Sequence, residues 1–245
     1  MHPLFDSSAF NERLFFPGGD VTPCPAGATD AVLEVDGARV AWRWHRSPAA
    51  RAVILLFHGN GEVIADYDHS AQRFAEAGAE LAVVDYRGYG QSSGTPTLRS
   101  AIEDAPRVLE ALLARADRPV VVMGRSVGSA AAAELYGRNP AGVSGLIYES
   151  GSIDLAGLAA RRGMILPALD HTPFDPRPKL ERGRLPFLGI HGAEDAIIDA
   201  SEGRRAFEAA GGTRKHFALL PEVGHNNLAS APAYWSAIAE FLASL

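Results

Sequence analysis

The chain has 245 residues, of which 47% are hydrophobic and 21% are charged, and its 23 basic and 29 acidic residues give a net charge of −6. This composition is typical of a globular protein with one large core, and it excludes disordered and fibrous chains. Because the basic residues form no cluster longer than an arginine pair, we expect no nucleic-acid partner and no attraction to an anionic membrane surface.

Signals for export and for membrane insertion are missing from the sequence. The first residues lack the continuous apolar core of a signal peptide, and no apolar run reaches the roughly 18 residues that a membrane span requires. A single cysteine, Cys24, excludes a disulfide framework and a cysteine-ligated zinc site. We therefore predict a cytoplasmic protein without a stable membrane anchor.

The first predicted elements are two strands that form an antiparallel hairpin. Residues 31–35 and 39–44 are joined by Asp36-Gly37. Asp-Gly between alternating runs is a strong signal for a two-residue hairpin turn. The sheet is therefore expected to begin with antiparallel strands.

Short apolar runs and helical patterns then alternate along the rest of the chain. Runs typical of strands buried on both faces lie at residues 52–57, 80–86, 120–124, 143–149, 185–191 and 215–221. Helical patterns lie at about 67–77, 98–116, 127–137 and 231–243, with Pro106 kinking the second pattern or marking its start. This alternation predicts an α/β fold, a doubly wound and mostly parallel sheet with helices on both faces, in a single domain spanning residues 1–245.

The stretch from about residue 152 to residue 184 interrupts this alternation. It contains Pro167, Pro173, Pro176 and Pro178 and no clear strand. A connection of this length is usually functional, so we predict a short cap insertion over one end of the sheet. A passive surface loop is the alternative.

A Gly-x-Ser-x-Gly motif occupies residues 124–128, directly between a predicted strand and a predicted helix. A sharp strand-to-helix turn needs glycines beside the serine, and it exposes the hydroxyl where the N–H groups of the helix N-terminus converge. The motif alone is short enough to occur by chance. Its position favours a nucleophile elbow, with Ser126 as the nucleophile.

A serine hydroxyl needs a base that removes its proton, and histidine is the usual one. His225 follows the last predicted strand, at the same edge of the sheet as Ser126. His58 and His191 also end strands, but each begins a His-Gly turn, where a backbone role is expected. His225 is therefore the predicted base.

An acid that orients the histidine is expected on another loop at this edge. Asp195 follows the strand at 185–191, and Glu149 ends the preceding strand. The chain order of serine, acid and histidine in this class of motif favours Asp195, and Glu149 remains the rival.

The negative oxygen formed during attack on a carbonyl needs hydrogen-bond donors. The N–H of Val127, directly after the nucleophile, is one predicted donor. The second is expected in the glycine turn at 58–61, where Asn60 is favoured and Gly61 is the alternative.

Together these motifs make the sequence resemble the α/β-hydrolase superfamily from Val32 to Leu242, and most closely the short-capped serine hydrolases of the alpha/beta-hydrolase-domain (ABHD) type. The resemblance rests on HGNG at 58–61, DYRGYGQSSGTP at 85–96, GRSVGS at 124–129, HGAED at 191–195 and GHNN at 224–227. It implies a sheet of about eight strands, a Ser126–Asp195–His225 triad and hydrolysis of carboxylic esters or thioesters.

The resulting prediction is a serine hydrolase that forms an acyl-enzyme on Ser126 and needs no metal or organic cofactor. We expect it to act on a small-molecule ester or acyl substrate, as a monomer or a small homo-oligomer. The candidate pocket-lining residues are Gly61, Glu149, Met164 and Leu166. A lipase- or peptidase-like serine hydrolase and a non-catalytic ligand-binding protein on the same fold are the alternatives.

Overall fold

An eight-stranded sheet forms the centre of the computed structural model, which describes residues 7–161, 163–165 and 173–245. The strands are β1 Ala28–Val35, β2 Ala38–His45, β3 Ala52–Phe57, β4 Ala79–Val84, β5 Val120–Arg125, β6 Val143–Glu149, β7 Phe187–Gly192 and β8 Lys215–Leu220. The helices of the described ranges are α1 Ser8–Leu14, α2 Ala71–Ala77, α3 Leu98–Glu103, α4 Ala105–Leu113, α5 Ser129–Arg138, α6 Leu155–Arg161, α7 Pro176–Arg182, α8 Ala200–Ala209 and α9 Pro232–Ala243.

The sheet begins with the predicted antiparallel hairpin. Strands β1 and β2 pair from Ala28–His45 to Val35–Ala38, and the turn residues Asp36 and Gly37 have φ angles of 47° and 79°. Positive φ at both central positions characterises the turn whose twist matches that of the flanking strands. β2 then pairs antiparallel with β4, and all other neighbours in the order β1-β2-β4-β3-β5-β6-β7-β8 are parallel. The predicted fold class is confirmed.

Helices cover both faces of the sheet, and strand β3 shows why its sequence is apolar throughout. Ile54 and Leu56 join the core cluster beneath α2 and α9, whereas Val53 and Leu55 join the cluster beneath the other helices. Successive side chains of a strand point to opposite faces. A strand covered on both sides therefore reads as a continuous hydrophobic run.

Proline and a short turn decide where two of the predicted helices begin. The pattern at 98–116 is divided into α3 and α4, with Pro106 in the first turn of α4, where its missing N–H costs no hydrogen bond. Helix α5 begins at Ser129, after a single 3-10 turn at Ser126–Gly128. Both departures from the predicted bounds arise at residues that break regular helix geometry.

The insertion between β6 and β7 contains two short helices, α6 and α7. The amphipathic segment that forms α1 was likewise not predicted as a helix from the sequence. Leu166, a predicted pocket residue, lies outside the described residues. Within the described ranges, the helices lack the combination of length and hydropathy that crossing a membrane requires.

The parallel strands bring distant parts of the chain to one edge of the sheet. Strands β3 to β8 run in the same direction, so their carboxyl ends lie together. Asn60 follows β3, Ser126 follows β5, Asp195 follows β7 and His225 follows β8. This edge is where ligands bind in open α/β sheets.

Candidate active site

Ser126 occupies a strained turn that only its glycine neighbours permit. The serine has a φ of 52°, a left-handed conformation that is uncommon for residues with a side chain. A Cβ atom at position 124 would lie 2.6 Å from the Gly128 carbonyl oxygen, and one at position 128 would lie 2.1 Å from the Phe57 carbonyl oxygen. Both motif glycines are therefore required by close backbone approach, which is the geometry of a nucleophile elbow.

Ser126, His225 and Asp195 form a continuous hydrogen-bonded row. The Oγ of Ser126 lies 3.0 Å from Nε2 of His225, and Nδ1 of His225 lies 2.7 Å from Oδ2 of Asp195. The carboxylate accepts the Nδ1 proton, so Nε2 carries the lone pair that faces the serine hydroxyl. Such a row can deprotonate Ser126 and stabilise the imidazolium that forms.

Asp195 is held by several donors besides His225. Its Oδ1 accepts from the backbone N–H groups of Ile197 and Ile198, at 2.9 Å and 2.8 Å. Burial alone would raise the pKa of this carboxyl, but hydrogen bonds from His191, His225 and the Ile198 amide hold the pKa well below its usual range. Asp195 is therefore ionised wherever the chain is folded near neutral pH.

His191 contributes a side-chain role that its His-Gly turn did not predict. Its fully buried imidazole places Nε2 2.8 Å from the Ile198 carbonyl oxygen and 3.2 Å from Oδ2 of Asp195. Since a carbonyl only accepts, Nε2 carries the ring proton. The backbone of Gly203 lies so close to the other nitrogen that a Cβ there would come within 2.3 Å of it. His191 thus donates to the carboxylate of Asp195 and helps to hold it beside His225.

Glu149, the rival acid, lies away from the imidazole of His225. Its Oε2 accepts from the Tyr234 hydroxyl at 2.8 Å, and its Oε1 accepts from Nη1 of Arg125 at 3.1 Å. The carboxyl group is 4% exposed. Its two partners occupy both oxygens, so the structure brings Asp195 rather than Glu149 to the histidine.

The two predicted oxyanion donors lie beside the nucleophile. Asn60 and Val127 both line the cavity that Ser126 faces. Among the described residues, neither backbone N–H is paired with a protein acceptor. The Asn60 side chain is engaged instead, because Nδ2 donates to the Leu14 carbonyl at 2.6 Å and Oδ1 accepts from the Phe16 N–H at 2.9 Å. The side chain of Asn60 thus holds the turn in place, while its backbone N–H has no protein acceptor among the described residues.

A cavity of about 500 Å³ opens beside Ser126. Most of its lining is apolar and comes from the cap insertion, from α1, α3 and α5, and from the loop after β7. These residues are Leu14, Leu98, Val127, Ala130, Leu155, Leu158, Phe174, Pro176, Ala196, Ile197 and Ile198. The polar lining beyond Asn60 and Ser126 comprises Ser129, Ser152, Asp154 and Arg161. The cavity is large enough for a small ligand.

The three predicted pocket residues that the structure describes, Gly61, Glu149 and Met164, lie elsewhere. Gly61 and Glu149 do not line this cavity, and Met164 is buried in the core cluster beneath the cap. Glu149 instead borders a separate cavity of about 240 Å³ behind the His225 loop. From the cap insertion, Leu155 and Phe174 line the main cavity instead.

Arg125, which precedes the nucleophile, makes long-range contacts that its place in the motif did not predict. Its guanidinium is 11% exposed and contacts Glu62, Glu149 and the backbone of His225. The one sequence feature that could have pointed to these contacts is the charge at the variable position of the Gly-x-Ser-x-Gly motif. Its partners are 24 to 100 residues away in sequence, so no local pattern reveals them.

Comparisons with known proteins show which family the chain resembles in sequence. A family model described as serine aminopeptidase, S33, matches residues 48–169. The human alpha/beta hydrolase domain-containing protein 17B is 31% identical over 220 residues, which cover 84% of this chain and 72% of that protein. Protein bem46 of Schizosaccharomyces pombe is 27% identical over 206 residues, covering 80% and 69% of the two chains.

A solved structure extends the likeness to three dimensions. An esterase from Pyrococcus furiosus superposes with a TM-score of 0.73 at 16% identity, covering 93% of this chain and 98% of that chain. At this identity the superposition speaks for the fold alone.

Proposed function

This chain belongs to the ABHD-type α/β-hydrolases, and we propose that it cleaves carboxylic ester or thioester bonds through an acyl-enzyme on Ser126. One observation carries the proposal. The row from Ser126 through His225 to Asp195, with contacts of 3.0 Å and 2.7 Å, ends at an apolar cavity. A paired nucleophile and base beside space for an acyl group is the arrangement that acyl transfer needs.

In the first half of the reaction, Oγ of Ser126 attacks the carbonyl carbon of the substrate while Nε2 of His225 takes the hydroxyl proton. The carbonyl oxygen becomes negative and accepts hydrogen bonds from the N–H groups of Asn60 and Val127. When the tetrahedral intermediate collapses, the C–O or C–S bond breaks and His225 gives its proton to the leaving alkoxide or thiolate. The acyl group stays on Ser126.

In the second half, water replaces the leaving group. Nε2 of His225 removes a proton from the water as its oxygen attacks the acyl carbon, and the same proton returns to Oγ of Ser126 when the ester bond to the enzyme breaks. Asp195 remains ionised throughout, because its buried carboxylate keeps its hydrogen bonds to His191 and the Ile198 amide. Its role is to hold the imidazole and to balance its positive charge.

The cavity favours an apolar acyl or aromatic group. Leu155 and Leu158 of α6 and Phe174 before α7 face it from the cap, and Leu14 reaches it from α1. Burial of each methylene of a ligand in such surroundings contributes about 0.8 kcal/mol. These side chains therefore supply binding energy without selecting a polar head group.

The test is covalent labelling combined with turnover. We expect a fluorophosphonate probe to label Ser126 and 4-nitrophenyl esters to be hydrolysed, and Ser126→Ala should abolish both. Ser201→Ala is the matched control, since Ser201 is exposed on α8, away from the cavity. Turnover that persists in Ser126→Ala would refute the nucleophile assignment.

An aminopeptidase is the second candidate, because the matching family model is described as one. Asp154 is the carboxylate that lines the cavity, and it could receive the ammonium group of a peptide N-terminus. Comparing the hydrolysis rates of aminoacyl 4-nitroanilides and of 4-nitrophenyl esters of equal size distinguishes the aminopeptidase from the esterase. We expect faster hydrolysis of the esters, whereas equal turnover of the anilides that is lost in Asp154→Asn would favour the peptidase.

A further inference from the structure

The guanidinium of Arg125 lies between two carboxylates beneath the active site. Its Nε donates to Oε1 of Glu62 at 2.8 Å, and its Nη1 donates to Oε1 of Glu149 at 3.1 Å. Burial alone would lower the pKa of the guanidinium, but the charges of Glu149 and Glu62 raise it above its usual range. Arg125 is therefore a permanent cation at the end of β5, one residue before the nucleophile.

The same guanidinium forms two hydrogen bonds with the loop that carries the base, His225. Nη1 of Arg125 also donates to the backbone carbonyl of His225 at 2.9 Å, and Nη2 donates to Oδ1 of Asn226 at 3.1 Å. These two hydrogen bonds fix the backbone from which the imidazole projects. Since Arg125 and Ser126 are adjacent in the chain, the same two hydrogen bonds also fix the distance between the nucleophile and the base.

A second connection runs from Arg125 to the turn that carries Asn60. The carboxylate of Glu62 accepts the Gly59 N–H at 2.7 Å and the Tyr67 hydroxyl at 2.6 Å, while holding Arg125 with its other oxygen. The turn at 58–61 is thus closed around a carboxylate that the arginine anchors. The orientation of the Asn60 N–H depends on that closure.

Buried ion clusters of this kind are poor sources of stability. Removing charges from water costs several kcal/mol per ion, and well-packed apolar residues are often at least as stable in their place. An arginine whose partners lie on two loops and at the end of a strand has a different use, because its planar, forked donors fix several acceptors at once. A lysine has the same charge but lacks this geometry.

We propose that Arg125 is a positioning residue that holds the His225 loop and the Asn60 turn in register with Ser126. The inference rests on the function proposed for Ser126, His225 and Asp195. In this chain the variable residue of the Gly-x-Ser-x-Gly motif thus has a role. Arg125 ends β5 directly before the nucleophile, contacts the loop of the base, and reaches the turn of the oxyanion donor through Glu62.

The variant that isolates this task is Arg125→Lys. The charge stays, so neither the half-buried carboxylate of Glu62 nor the buried one of Glu149 is left without a cation, but a single ammonium group replaces the fork. We expect kcat for a 4-nitrophenyl ester to fall by about 30-fold to 100-fold, because misplacement of catalytic groups by about 1 Å can cost 10²-fold. KM should change by less than about threefold, since Arg125 does not line the cavity beside Ser126.

Arg43→Lys is the matched control. Arg43 is also buried, also pairs with two carboxylates, those of Asp30 and Asp68, and also donates to a backbone carbonyl, that of Thr22. It lies on β2, remote from the three catalytic loops. We expect it to lower the melting temperature as Arg125→Lys does while leaving kcat within about twofold of the wild type.

A proton resonance separates this inference from the proposed function. The Nδ1 proton that His225 shares with Asp195 should appear downfield in the NMR spectrum, and Asp195→Asn identifies it by its loss. We expect the resonance in the wild type and in Arg43→Lys, and its broadening or loss in Arg125→Lys. This readout needs no turnover, so absence of ester hydrolysis in the wild type would count against the proposed function alone.

A milder variant covers the case in which Arg125→Lys does not fold. Asn226→Ala removes one exposed acceptor and leaves the buried charges in place. We expect kcat to fall about threefold to fivefold, the worth of one hydrogen bond, at an unchanged melting temperature. If both variants keep wild-type kcat and an unchanged resonance, Arg125 does not position the site. If Arg43→Lys loses kcat equally, the loss reflects general destabilisation, and the inference is overturned.

Discussion

The side-chain amide of Asn60 donates a 2.6 Å hydrogen bond to the backbone carbonyl of Leu14. This bond ties the turn after β3 to the end of α1, across 46 positions of sequence. The side-chain oxygen of Asn60, Oδ1, is also engaged, because it accepts hydrogen bonds from the Phe16 N–H and the Tyr89 hydroxyl. The segment that contains α1 therefore helps to hold the turn that carries the proposed oxyanion donor, and Leu14 also lines the cavity.

We predict that Asn60→Ala lowers kcat by about tenfold to 10²-fold with little change in KM. The backbone N–H remains, but the turn loses the side-chain bonds that aim it, and removing an oxyanion donor outright costs 10²–10³-fold. Steady-state kinetics with a 4-nitrophenyl ester measures the effect. Limited proteolysis gives a second readout, because α1 loses its bond to the turn in Asn60→Ala, and cleavage near residue 16 by trace protease should increase. Asn226→Asp, which alters an exposed amide near the site without touching α1, should show no such increase.

We predict that Asp195→Asn reduces kcat far more than Glu149→Gln. Loss of the acid that sets the histidine tautomer costs on the order of 10⁴-fold, whereas Glu149 acts only through Arg125. Both variants should be compared at equal active-site concentration by titration with a fluorophosphonate. A larger loss in the Glu149 variant would reassign the acid.

The stability contribution of Asp195 should depend on pH. Its pKa is lower in the folded chain than in the unfolded chain, where it is about 3.9. The unfolded chain therefore binds the proton more readily at low pH, so this contribution is complete above about pH 5 and declines as the pH falls below that value. We expect the difference in urea midpoint between the wild type and Asp195→Asn to shrink from pH 6 to pH 3. A difference that stays constant over this range would contradict the depressed pKa.

Gly128→Ala should destabilise the fold as well as abolish activity. A Cβ at this position would lie 2.1 Å from the Phe57 carbonyl oxygen, and the backbone must move to admit it. Overpacking of this kind costs about 1–3 kcal/mol or more, which urea unfolding would resolve. Gly18→Ala is the control, because a Cβ there meets no atom within 4 Å.

The acyl preference should follow the size of the cavity. We expect kcat/KM for straight-chain 4-nitrophenyl esters to rise by about fourfold per methylene until the cavity is filled, and then to fall. Leu158 lines the cavity from α6 and is half-buried. Leu158→Trp should therefore move the optimum to shorter acyl chains while the rate with the acetyl ester stays close to the wild type. An unchanged optimum would indicate that the acyl group binds elsewhere.

The sequence predicted the parts of the site that follow from local pattern and chain order. Ser126 was recognisable because a strained turn needs glycines at 124 and 128, and His225 because parallel strands end at one edge. Asp195 followed from the order of serine, acid and histidine. Each of these inferences depends on rules that apply within a few residues or to the whole sheet.

What the sequence left undetermined depends on contacts between remote segments. The partners of Arg125 lie on the loops after β3 and β8 and at the last residue of β6, and no sequence periodicity predicts contacts between such distant segments. The same reason explains why Glu149 was expected in the pocket. Glu149 ends strand β6 at the same edge of the sheet as Ser126, but its carboxylate accepts hydrogen bonds from Arg125 and Tyr234, away from the cavity.

The order of the strands also bears on how the site assembles during folding. His225 follows β8, the edge strand of the sheet, whereas Ser126 follows β5, near its centre. The imidazole therefore meets the serine, 99 positions away in sequence, only when β7 and β8 have joined the sheet. In a refolding experiment, the appearance of fluorophosphonate labelling should report the docking of that edge.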